Sequence, residues 1–465
     1  MQDALNAGSE VREAAPRSAL VSWVLFDWAA QPYYTLVLTF LFAPYFANVV
    51  ATSPAQGQAL WGYAAAVAGI LIAIGSPFLG AMADGGGRRK PWIALFSIVF
   101  VAGLATLWLA KPGADSSTVL LVLAAFVAAT AMAEFTTVFT NAMMPTLVPH
   151  HQLGRLSGTA WAVGYAGGLV SLAVMAGLIV ADPSSGRTML GLDPLLALDT
   201  LEREGDRLVG PFAAVWYALF MIPFFLFVPD KPRDAGHGAA RPALAELWST
   251  IKALPGNRDM LYFLAARMLY SDGLAAIFAF GGIYGAAVFA WGALELGLFG
   301  IVLTFAGIFG ALIGGVLDDR VGSKKVIVVS LVLLLIGAFG ILSVDPNHVL
   351  YMTEVAPKAF ASAPFSSAGE QVFLAFAVLV GLVAAPVQAA SRALLARLAP
   401  PEKMTQYFGL FAFSGKVTAF MAPLLVAAVT QATGDQRIGM ASIAVFLIAG
   451  LMLMLKVRAP APGVR

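Results

Sequence analysis

The stretch GAMADGGGRRK, residues 80–90, recurs in altered form as GVLDDRVGSKK at residues 315–325. In each copy a long apolar run ends in a glycine, an aspartate, a glycine turn and two or three cations, and another apolar run follows at once. This pattern is typical of a short loop between two membrane-spanning helices, because cations mark the water interface. The repeat therefore predicts a membrane protein whose chain contains two copies of the same unit.

The composition also indicates a membrane protein. The 465 residues are 60% hydrophobic and 12% charged, with a mean hydropathy of +0.83, whereas soluble domains are about 25% charged. A net charge of +2 gives no reason to expect a nucleic-acid partner. The absence of cysteine excludes disulfides, thiolate metal sites and cysteine nucleophiles. Residues 1–18 lack an apolar core, so we expect no cleaved signal peptide.

Twelve segments are long and apolar enough to cross a bilayer, which takes about 20 residues. Backbone groups cannot stay unpaired in lipid, and these runs are too long for barrel strands, so we expect helices. Pro32, Pro44 and the pair Gly281-Gly282 are expected to loosen spans 1 and 7. The predicted spans 1 to 12 are 19–49, 58–83, 91–110, 118–147, 156–181, 211–228, 259–290, 294–317, 325–344, 371–398, 407–433 and 437–457.

Alignment of the two halves predicts a duplicated six-helix unit. Besides the repeated loop, Asp27 aligns with Asp272, and Gly158 aligns with Gly409. The predicted fold is an all-α membrane protein with twelve transmembrane helices in two pseudo-symmetric six-helix bundles. The bundles cover 19–228 and 259–457, a linker covers 229–258, and the tails cover 1–18 and 458–465. Parallel repeats of this kind are typical of secondary transporters that bind substrate between the halves near the bilayer midplane.

The distribution of cations predicts the orientation. Most loop and tail cations fall on the side of the N-terminus, which indicates that both termini and the linker are cytoplasmic and that the protein lies in the inner membrane. Residues 243–254 of the linker have helical apolar spacing, which favours either an interfacial helix or a simple tether. The long loops 182–210 and 345–370 are expected to be irregular or to cap part of the outer mouth. The cations of the outer side are Lys111, Arg187, Arg203, Arg207, Lys358 and Arg437.

The two loop copies resemble the loop motif of the major facilitator superfamily, although Gly85 replaces the usual cation after Asp84. In that superfamily the aspartates meet the N-termini of helices 11 and 5 of the opposite half and close the cytoplasmic side, where the helix dipole favours an anion. Cations placed only for topology would not explain a glycine and an aspartate at the same spacing twice. We assign gating to Gly80, Asp84, Arg88, Arg89, Lys90, Gly315, Asp319, Arg320, Lys324 and Lys325.

Four longer stretches resemble a narrower group, the vacuole-effluxer branch of the superfamily. They are FDWAAQPYYTLVLTFLFAPYFA (26–47), RLSGTAWAVGYAGG (155–168), ARMLYSDGLAAIFAFGGIYGA (266–286) and PVQAASRALLARLAPPEKMTQYFGLFAFSGKVTAF (386–420). This branch includes autophagy-related vacuolar amino-acid exporters of fungi and many bacterial members. The resemblance implies a transporter, with amino acids as a suggested cargo.

Ionisable residues within spans are the candidate substrate and coupling residues, because each costs about 2.5–3.5 kcal/mol at a helix centre. Five are assigned to this role: Asp27, Glu134, Asp272, Arg392 and Lys416. In the superfamily, helices 1, 4, 7 and 10 line the central cavity, which places four of the five there.

The role of each candidate has an alternative. Glu134 lacks a basic partner on its own half and is expected to couple protons; otherwise it is a simple hydrogen-bonded glutamate. Asp272 and Lys416 either pair within the C-terminal half or bind cargo or a proton. Asp27 either stabilises the inner end or contacts substrate, and Arg267 is expected to extend to the interface.

We therefore expect a secondary active transporter that moves a small polar solute, with an amino acid as one candidate, by alternating access and with a proton gradient. The chain lacks a phosphate-binding glycine loop, so neither ATP nor another cofactor is expected, and a monomer is expected. His150 and His151 have no further ligands nearby in sequence, which disfavours a metal site and a membrane-embedded enzyme. Carriers of other organic solutes, lipid scramblases and transporter-like receptors are the alternatives.

Overall fold

The computed structural model describes residues 14–230, 243–358 and 363–459. In these residues, 11 helices are long and apolar enough to cross a membrane, and a twelfth span is divided into two short helices. The expected tails at 1–13 and 460–465 and the linker residues 231–242 lie outside the described residues. The helices are α1 Arg17–Val50, α2 Pro54–Gly85, α3 Lys90–Leu109, α4 Ser116–Leu147, α5 His150–Ile179, α6 Glu204–Phe227, α7 Arg258–Phe289, α8 Leu294–Val321, α9 Ser323–Leu342, α10 Ala368–Leu398, α11a Met404–Ser414, α11b Met421–Thr433 and α12 Gln436–Lys456.

The helices form two bundles with the same packing pattern. In the first half α1 packs on α5 and α6, and α4 packs on α2 and α3; in the second half α7 packs on α12, and α10 packs on α8 and α9. The halves meet where α2 packs on α11a and where α5 packs on α8. This arrangement confirms the predicted duplication. We call the end of the molecule that carries Asp84 and Asp319 the motif end.

The prolines of α1 alter their helix, whereas the glycine pair of α7 does not. The helix of α1 changes to the wider π form at Tyr33–Phe40, directly after Pro32, and again at Phe46–Val50, shortly after Pro44. Proline removes a backbone donor, so the regular ladder cannot continue through it unchanged. By contrast, α7 runs unbroken through Gly281-Gly282, so the expectation of a loosened span 7 is wrong.

Span 11, predicted as one helix over 407–433, is interrupted. Residues 415–420 form consecutive turns between α11a and α11b. The amide of Lys416 donates to the carbonyl of Phe413 at 3.0 Å, and the amide of Met421 donates to the carbonyl of Thr418 at 2.7 Å. Broken helices occur at membrane depth where they line a site between helices. The side chains of Lys416 and Thr418 therefore lie in a non-helical segment inside the bundle.

The long loops at the end opposite the motifs are more ordered than expected. The loop after α9 contains a two-stranded antiparallel hairpin, β1 (His348–Val349) and β2 (Thr353–Glu354). Within this loop Lys358 lies 3.3 Å from Glu295 and 3.0 Å from Glu370. In the loop after α5 the carboxylate of Asp182 accepts from the hydroxyl of Ser184 and from its amide at 2.8 Å, and these hydrogen bonds lower the pKa of Asp182. The expectation of irregular structure is therefore wrong at β1 and β2, whereas residues 182–203 of the other loop form turns and bends with one isolated bridge between Ala181 and Thr188.

The described part of the linker contains a helix, Ala243–Ala253, which docks on the protein. Its Thr250 is buried and donates to the side-chain oxygen of Gln406 at 3.2 Å, while Lys403 donates to Thr250 at 2.9 Å. Leu244 and Trp248 are exposed on the outer face. One face is thus held by α11a and its preceding loop, and the other face is apolar, which agrees better with an interfacial helix than with a simple tether.

Candidate functional site

The first copy of the motif binds the N-terminus of α11a. Asp84 of α2 accepts hydrogen bonds from the backbone amides of Thr405 at 3.2 Å and Gln406 at 2.8 Å. These amides belong to the first turn of α11a and have no partner within the helix, and the helix dipole favours an anion there. Arg89 lies 3.3 Å from Asp84 and donates from Nε to the hydroxyl of Thr405 at 2.8 Å.

The second copy makes the matching contact on the other side of the interface. Asp319 of α8 accepts from the backbone amides of Gly154 at 2.8 Å and Arg155 at 3.1 Å, in the first turns of α5. The side chains of Asp84 and Asp319 are 2% and 6% exposed, so water does not compete for these bonds. We call these two carboxylate-to-helix contacts the motif contacts. Both join one half of the molecule to the other.

The motif glycines permit these contacts because the helices cross without side chains between them. A Cβ on Gly315 would lie 2.8 Å from the carbonyl oxygen of Gly154 and 3.1 Å from the Cα of Gly158. A Cβ on Gly80 would lie 2.6 Å from the carbonyl oxygen of Thr405. All three distances are shorter than ordinary van der Waals contact, so no larger residue fits while the halves are joined here.

We therefore expect Gly315→Val to open the motif end. Overpacking costs about 1–3 kcal/mol, and because the clash exists only while the halves touch, the joined conformation should lose about tenfold to a hundredfold in population. Spin labels at His151→Cys and Pro401→Cys, exposed residues of equivalent loops in the two halves, would report a longer distance. We call these the motif-end labels; the chain has no other cysteine.

The matched control for this measurement is Gly69→Val in α2, where an added Cβ meets nothing within 4 Å. It should leave the label distance unchanged. An unchanged distance in Gly315→Val would show that the close approach at Gly315 does not limit closure.

The predicted gating cations divide into two groups. Lys90 donates to the carbonyl of Phe225 at 2.8 Å, and Lys324 donates to the carbonyl of Leu455 at 2.9 Å, so each holds the end of the last helix of its own half. The sequence alignment pairs Lys90 with Lys325, whereas these equivalent contacts pair it with Lys324. The exposed members of the set are Arg88, Arg320 and Lys325.

Asp318 and Arg397 belong to the same interface and were missed by sequence reasoning. Arg397 at the end of α10 donates to the side chains of Asp318 and Ser323. It also donates to the carbonyl of His150 in the other half at 3.1 and 3.2 Å. The available signal was the doubled aspartate of the second copy, where the first copy has a single aspartate after an alanine.

Arg392 forms a second layer of contacts between the halves. Its guanidinium donates to the hydroxyl of Ser157 at 2.8 Å and to the carbonyl of Ser157 at 2.7 Å. It also donates to Asn141 at 3.1 Å and to Asp27 at 3.2 Å. Arg392 belongs to α10, whereas its partners lie on α5, α4 and α1. Asp27 and Arg392 thus form a buried ion pair across the interface, which agrees with a stabilising role for Asp27.

A second ion pair lies deeper in the bundle. Nζ of Lys416, in the broken segment of span 11, lies 3.0 Å from the Glu134 carboxylate of α4. Glu134 is thirteen residues from the motif end of its helix, on the order of 20 Å along the axis at 1.5 Å per residue. The partner of Lys416 is therefore in the opposite half, and the expectation of a pair between Asp272 and Lys416 is wrong. Glu134 and Lys416 are far apart in sequence, so only the tertiary structure brings this basic partner to Glu134.

Arg267 stabilises the break in span 11. Its Nη1 donates to the carbonyl of Phe411 at 2.8 Å and to the hydroxyl of Ser414 at 3.2 Å, at the end of α11a. The guanidinium also lies 3.4 Å from the centre of the Phe411 ring. The expectation that Arg267 extends to the interface is wrong, because its charge satisfies the end of a helix that stops inside the bundle.

Asp272 of α7 differs from the other candidate acids. It is 1% exposed, and neither of its carboxylate oxygens has a hydrogen-bond partner among the described residues. Sequence reasoning selected the residue, and the structure places it beside the broken segment that carries Lys416 and Thr418.

Comparison with known proteins agrees with this architecture. The family model described as "Vacuole effluxer Atg22 like" matches residues 54–461. An "Uncharacterized MFS-type transporter YxiO" of Bacillus subtilis (strain 168) is 24% identical over 442 residues, which cover 93% of each chain. "Autophagy-related protein 22" of Cryptococcus neoformans var. neoformans serotype D (strain JEC21 / ATCC MYA-565) is 26% identical over 317 residues, which cover 64% of this chain and 49% of the fungal one.

Solved structures share the fold. The major facilitator superfamily transporter FucP, in the outward conformation, superposes with a TM-score of 0.70 at 13% identity, covering 95% of this chain and 98% of FucP. The proton:xylose symporter XylE superposes with a TM-score of 0.67 at 13% identity, covering 96% of this chain and 95% of XylE. Identity this low shows the fold and not the cargo. The chain belongs to the vacuole effluxer Atg22-like family and is a multi-pass membrane transporter of the major facilitator type, not an enzyme.

Proposed function

We propose that this transporter moves an amino acid or a similar small zwitterionic solute by alternating access, driven by a proton gradient and acting as a monomer. The observation that carries the proposal is the ion pair between Glu134 and Lys416. It places a carboxylate from one half opposite an ammonium from the other half, in the middle of the bundle. A zwitterion carries the same two charges. Its ammonium can pair with Glu134 in place of Lys416, and its carboxylate can pair with Lys416 in place of Glu134.

The surroundings of the pair support this proposal. The side chains of Glu134 and Lys416 are 18% and 37% exposed, so both remain reachable by a solute. Tyr33 and Tyr34 lie within electrostatic range of Glu134, and the Tyr33 hydroxyl is held by a hydrogen bond to Thr130 at 2.5 Å. Arg267 also lies within electrostatic range of Glu134. The site thus contains more positive than negative groups on its C-terminal side, which suits a carboxylate there and an ammonium beside Glu134.

We further propose that the protein lies in the inner membrane with its motif end facing the cytoplasm. The cation distribution supports this orientation. Under this proposal the structure is closed on the cytoplasmic side, because both motif contacts join the halves at that end. Autophagy-related fungal relatives support amino acids as cargo, although the aligned region spans about half of their length.

The test is uptake of radiolabelled amino acids by proteoliposomes that hold the purified full chain. Glu134→Gln and Lys416→Gln each remove one charged hydrogen-bonding partner, worth about 1.5–3 kcal/mol, so the apparent affinity should fall by about tenfold to a hundredfold. The loss should be specific to the group recognised: Lys416→Gln should weaken binding of an amino acid more than of its amide. Labelled organic anions and labelled phospholipid are measured in parallel.

Sidedness is fixed in the same vesicles. A single His151→Cys in the motif-end loop reports the orientation through its reaction with a membrane-impermeant maleimide. Vesicles whose motif end faces outward react directly, and vesicles whose motif end faces inward react only after lysis. In whole cells we expect no reaction. A matched control is Asp193→Ala in an exposed loop, with uptake expected to be unchanged. If organic anions or lipid move and no amino acid does, the proposed cargo is wrong. Labelling of His151→Cys in intact cells would contradict the proposed orientation.

A further inference from the structure

Asp272 has the burial of a core residue and the chemistry of an acid. It is 1% exposed, and both of its carboxylate oxygens lack a hydrogen-bond partner in the described ranges. The other acids inside the bundle are paired: Asp27 with Arg392, Glu134 with Lys416, and Glu370 with Lys358. A structural ion pair therefore does not explain why the acid Asp272 is buried.

The polar group that faces Asp272 is also unsatisfied. Thr418, in the broken segment between α11a and α11b, is close enough to Asp272 for a weak hydrogen bond, yet neither side chain has a hydrogen bond of normal geometry in the described chain. Beside Asp272, a Cβ on Gly273 would lie 3.0 Å from Leu447 and 3.3 Å from Phe446 of α12. The residue after Asp272 thus packs against apolar side chains, and Thr418 supplies the hydroxyl beside the carboxylate.

The charged groups around Asp272 are engaged elsewhere. On its own helix, Arg267 is within electrostatic range but donates to Phe411 and Ser414. On the broken segment, Lys416 pairs with Glu134. The neighbouring Tyr270 is hydrogen-bonded at 2.6 Å to Ser391 of α10, and the near side chains of α12 are apolar.

A carboxylate in these surroundings is stable as the neutral acid. A buried charge without a partner costs several kcal/mol, whereas the neutral acid has one O–H that Thr418 can accept. A hard metal ion would need about six oxygen ligands, and the groups beside Asp272 supply its two oxygens and one hydroxyl. The chemistry of the pocket fits a proton better than a metal cation.

We propose that Asp272 carries the coupling proton, with Thr418 as its hydrogen-bond partner across the break in span 11. This inference rests on the proposed proton-driven transport and names the residue responsible. The proton enters from water and returns to water on the other side of the membrane, and no other bond changes. Glu134, which the sequence suggested for this role, instead belongs to the cargo site.

The contacts of Arg267 explain how the proton would control the transporter. When Asp272 loses its proton, Arg267 is the cation within electrostatic range. To pair with Asp272, Arg267 must release the carbonyl of Phe411 and the hydroxyl of Ser414, which leaves the end of α11a unsatisfied. The other end of α11a holds the motif contact with Asp84. Loss of the proton therefore strains the helix that keeps the motif end joined.

The first test is infrared spectroscopy of the purified chain without cargo, titrated from mildly acidic to alkaline buffer, a range in which exposed carboxyl groups are ionised. The stretching band of a protonated carboxylic acid should be present and should disappear in Asp272→Asn. It should persist in Glu134→Gln and in Glu370→Gln, a buried but paired acid. Thr418→Val should shift the band to a different frequency, whereas Thr418→Ser should leave it near its original position. A band that persists in Asp272→Asn would overturn the proposal.

The second test uses the motif-end labels at His151→Cys and Pro401→Cys. Their distance distribution should change with pH in the parent chain and become independent of pH in Asp272→Asn, which has nearly the same shape as the parent. A pH response retained in Asp272→Asn, or one reproduced by sodium at constant pH, would overturn the proposal. Both readouts need no cargo, so if uptake fails while the Asp272 band is present, the proposed cargo is wrong and the proton site stands.

Discussion

Arg392→Met is expected to destabilise the joined motif end by about 3–5 kcal/mol, the usual cost of breaking a buried ion pair on one side. The substitution leaves the Asp27 carboxylate, 17% exposed, without its cation. It also removes the donors to Ser157 and Asn141, which lie on two other helices of the opposite half. A single change therefore disrupts contacts to three helices of the opposite half at once.

The effect should appear in two measurements. The melting temperature of the purified chain should fall, and the distance between the motif-end labels should increase. Asp27→Asn in the same chain should restore part of the stability, because the neutral amide no longer needs a cation. Asp27→Asn alone should cost less than Arg392→Met.

Arg258→Met is the matched control, because it removes an exposed arginine at the start of α7 in the same half. It should change the melting temperature little, as exposed charges contribute about 0–1 kcal/mol. If Arg392→Met behaves like Arg258→Met, Arg392 does not hold the halves together, and the ion pair with Asp27 is incidental.

Asp84→Ala combined with Asp319→Ala is expected to reverse the preference for the joined motif end. Each aspartate accepts two backbone amides, and hydrogen bonds to a charged group contribute about 1.5–3 kcal/mol. The two contacts lie on separate helix pairs, so their effects should add. The freed amides can bind water, so we count about 2 kcal/mol for each aspartate with its two bonds together. The combined loss of about 4 kcal/mol shifts a two-state equilibrium by roughly a thousandfold.

The same experiment separates gating from recognition. The motif-end label distance should lengthen in each single variant and lengthen further in the double variant, while the order of preference among labelled amino acids should stay the same. Asp193→Ala, an exposed aspartate in a loop, serves as the control and should change neither quantity. A changed order of cargo preference would show that the motif contacts take part in recognition.

Much of the fold follows from local properties of the chain. Apolar runs long enough to cross a bilayer predict helices because lipid offers no partner for backbone groups. The repeated glycine and aspartate of the motif predict the duplicated bundles, and the structure shows both aspartates at helix N-termini of the opposite half. These features depend on composition and spacing, which a sequence displays directly.

The candidate acids and bases were also identified from the sequence, because an ionisable residue inside a span is energetically costly and indicates a functional role. Their partners were not. Lys416 pairs with Glu134 and not with Asp272, and Arg267 caps a helix end instead of reaching the interface. The break at residues 415–420 decides both outcomes, and the hydropathy of span 11 does not reveal it.

The sequence by itself determines a duplicated twelve-span fold with one glycine-and-aspartate motif in each half and ionisable residues inside its spans. Only the tertiary structure decides which of those residues are paired. Pairing depends on distances of about 3 Å between helices that are far apart in sequence, and hydrogen bonds weaken steeply beyond such distances. For that reason the sequence does not reveal that Glu134 pairs with Lys416 and Asp27 with Arg392, or that Asp272 has no ion-pair partner among the described residues.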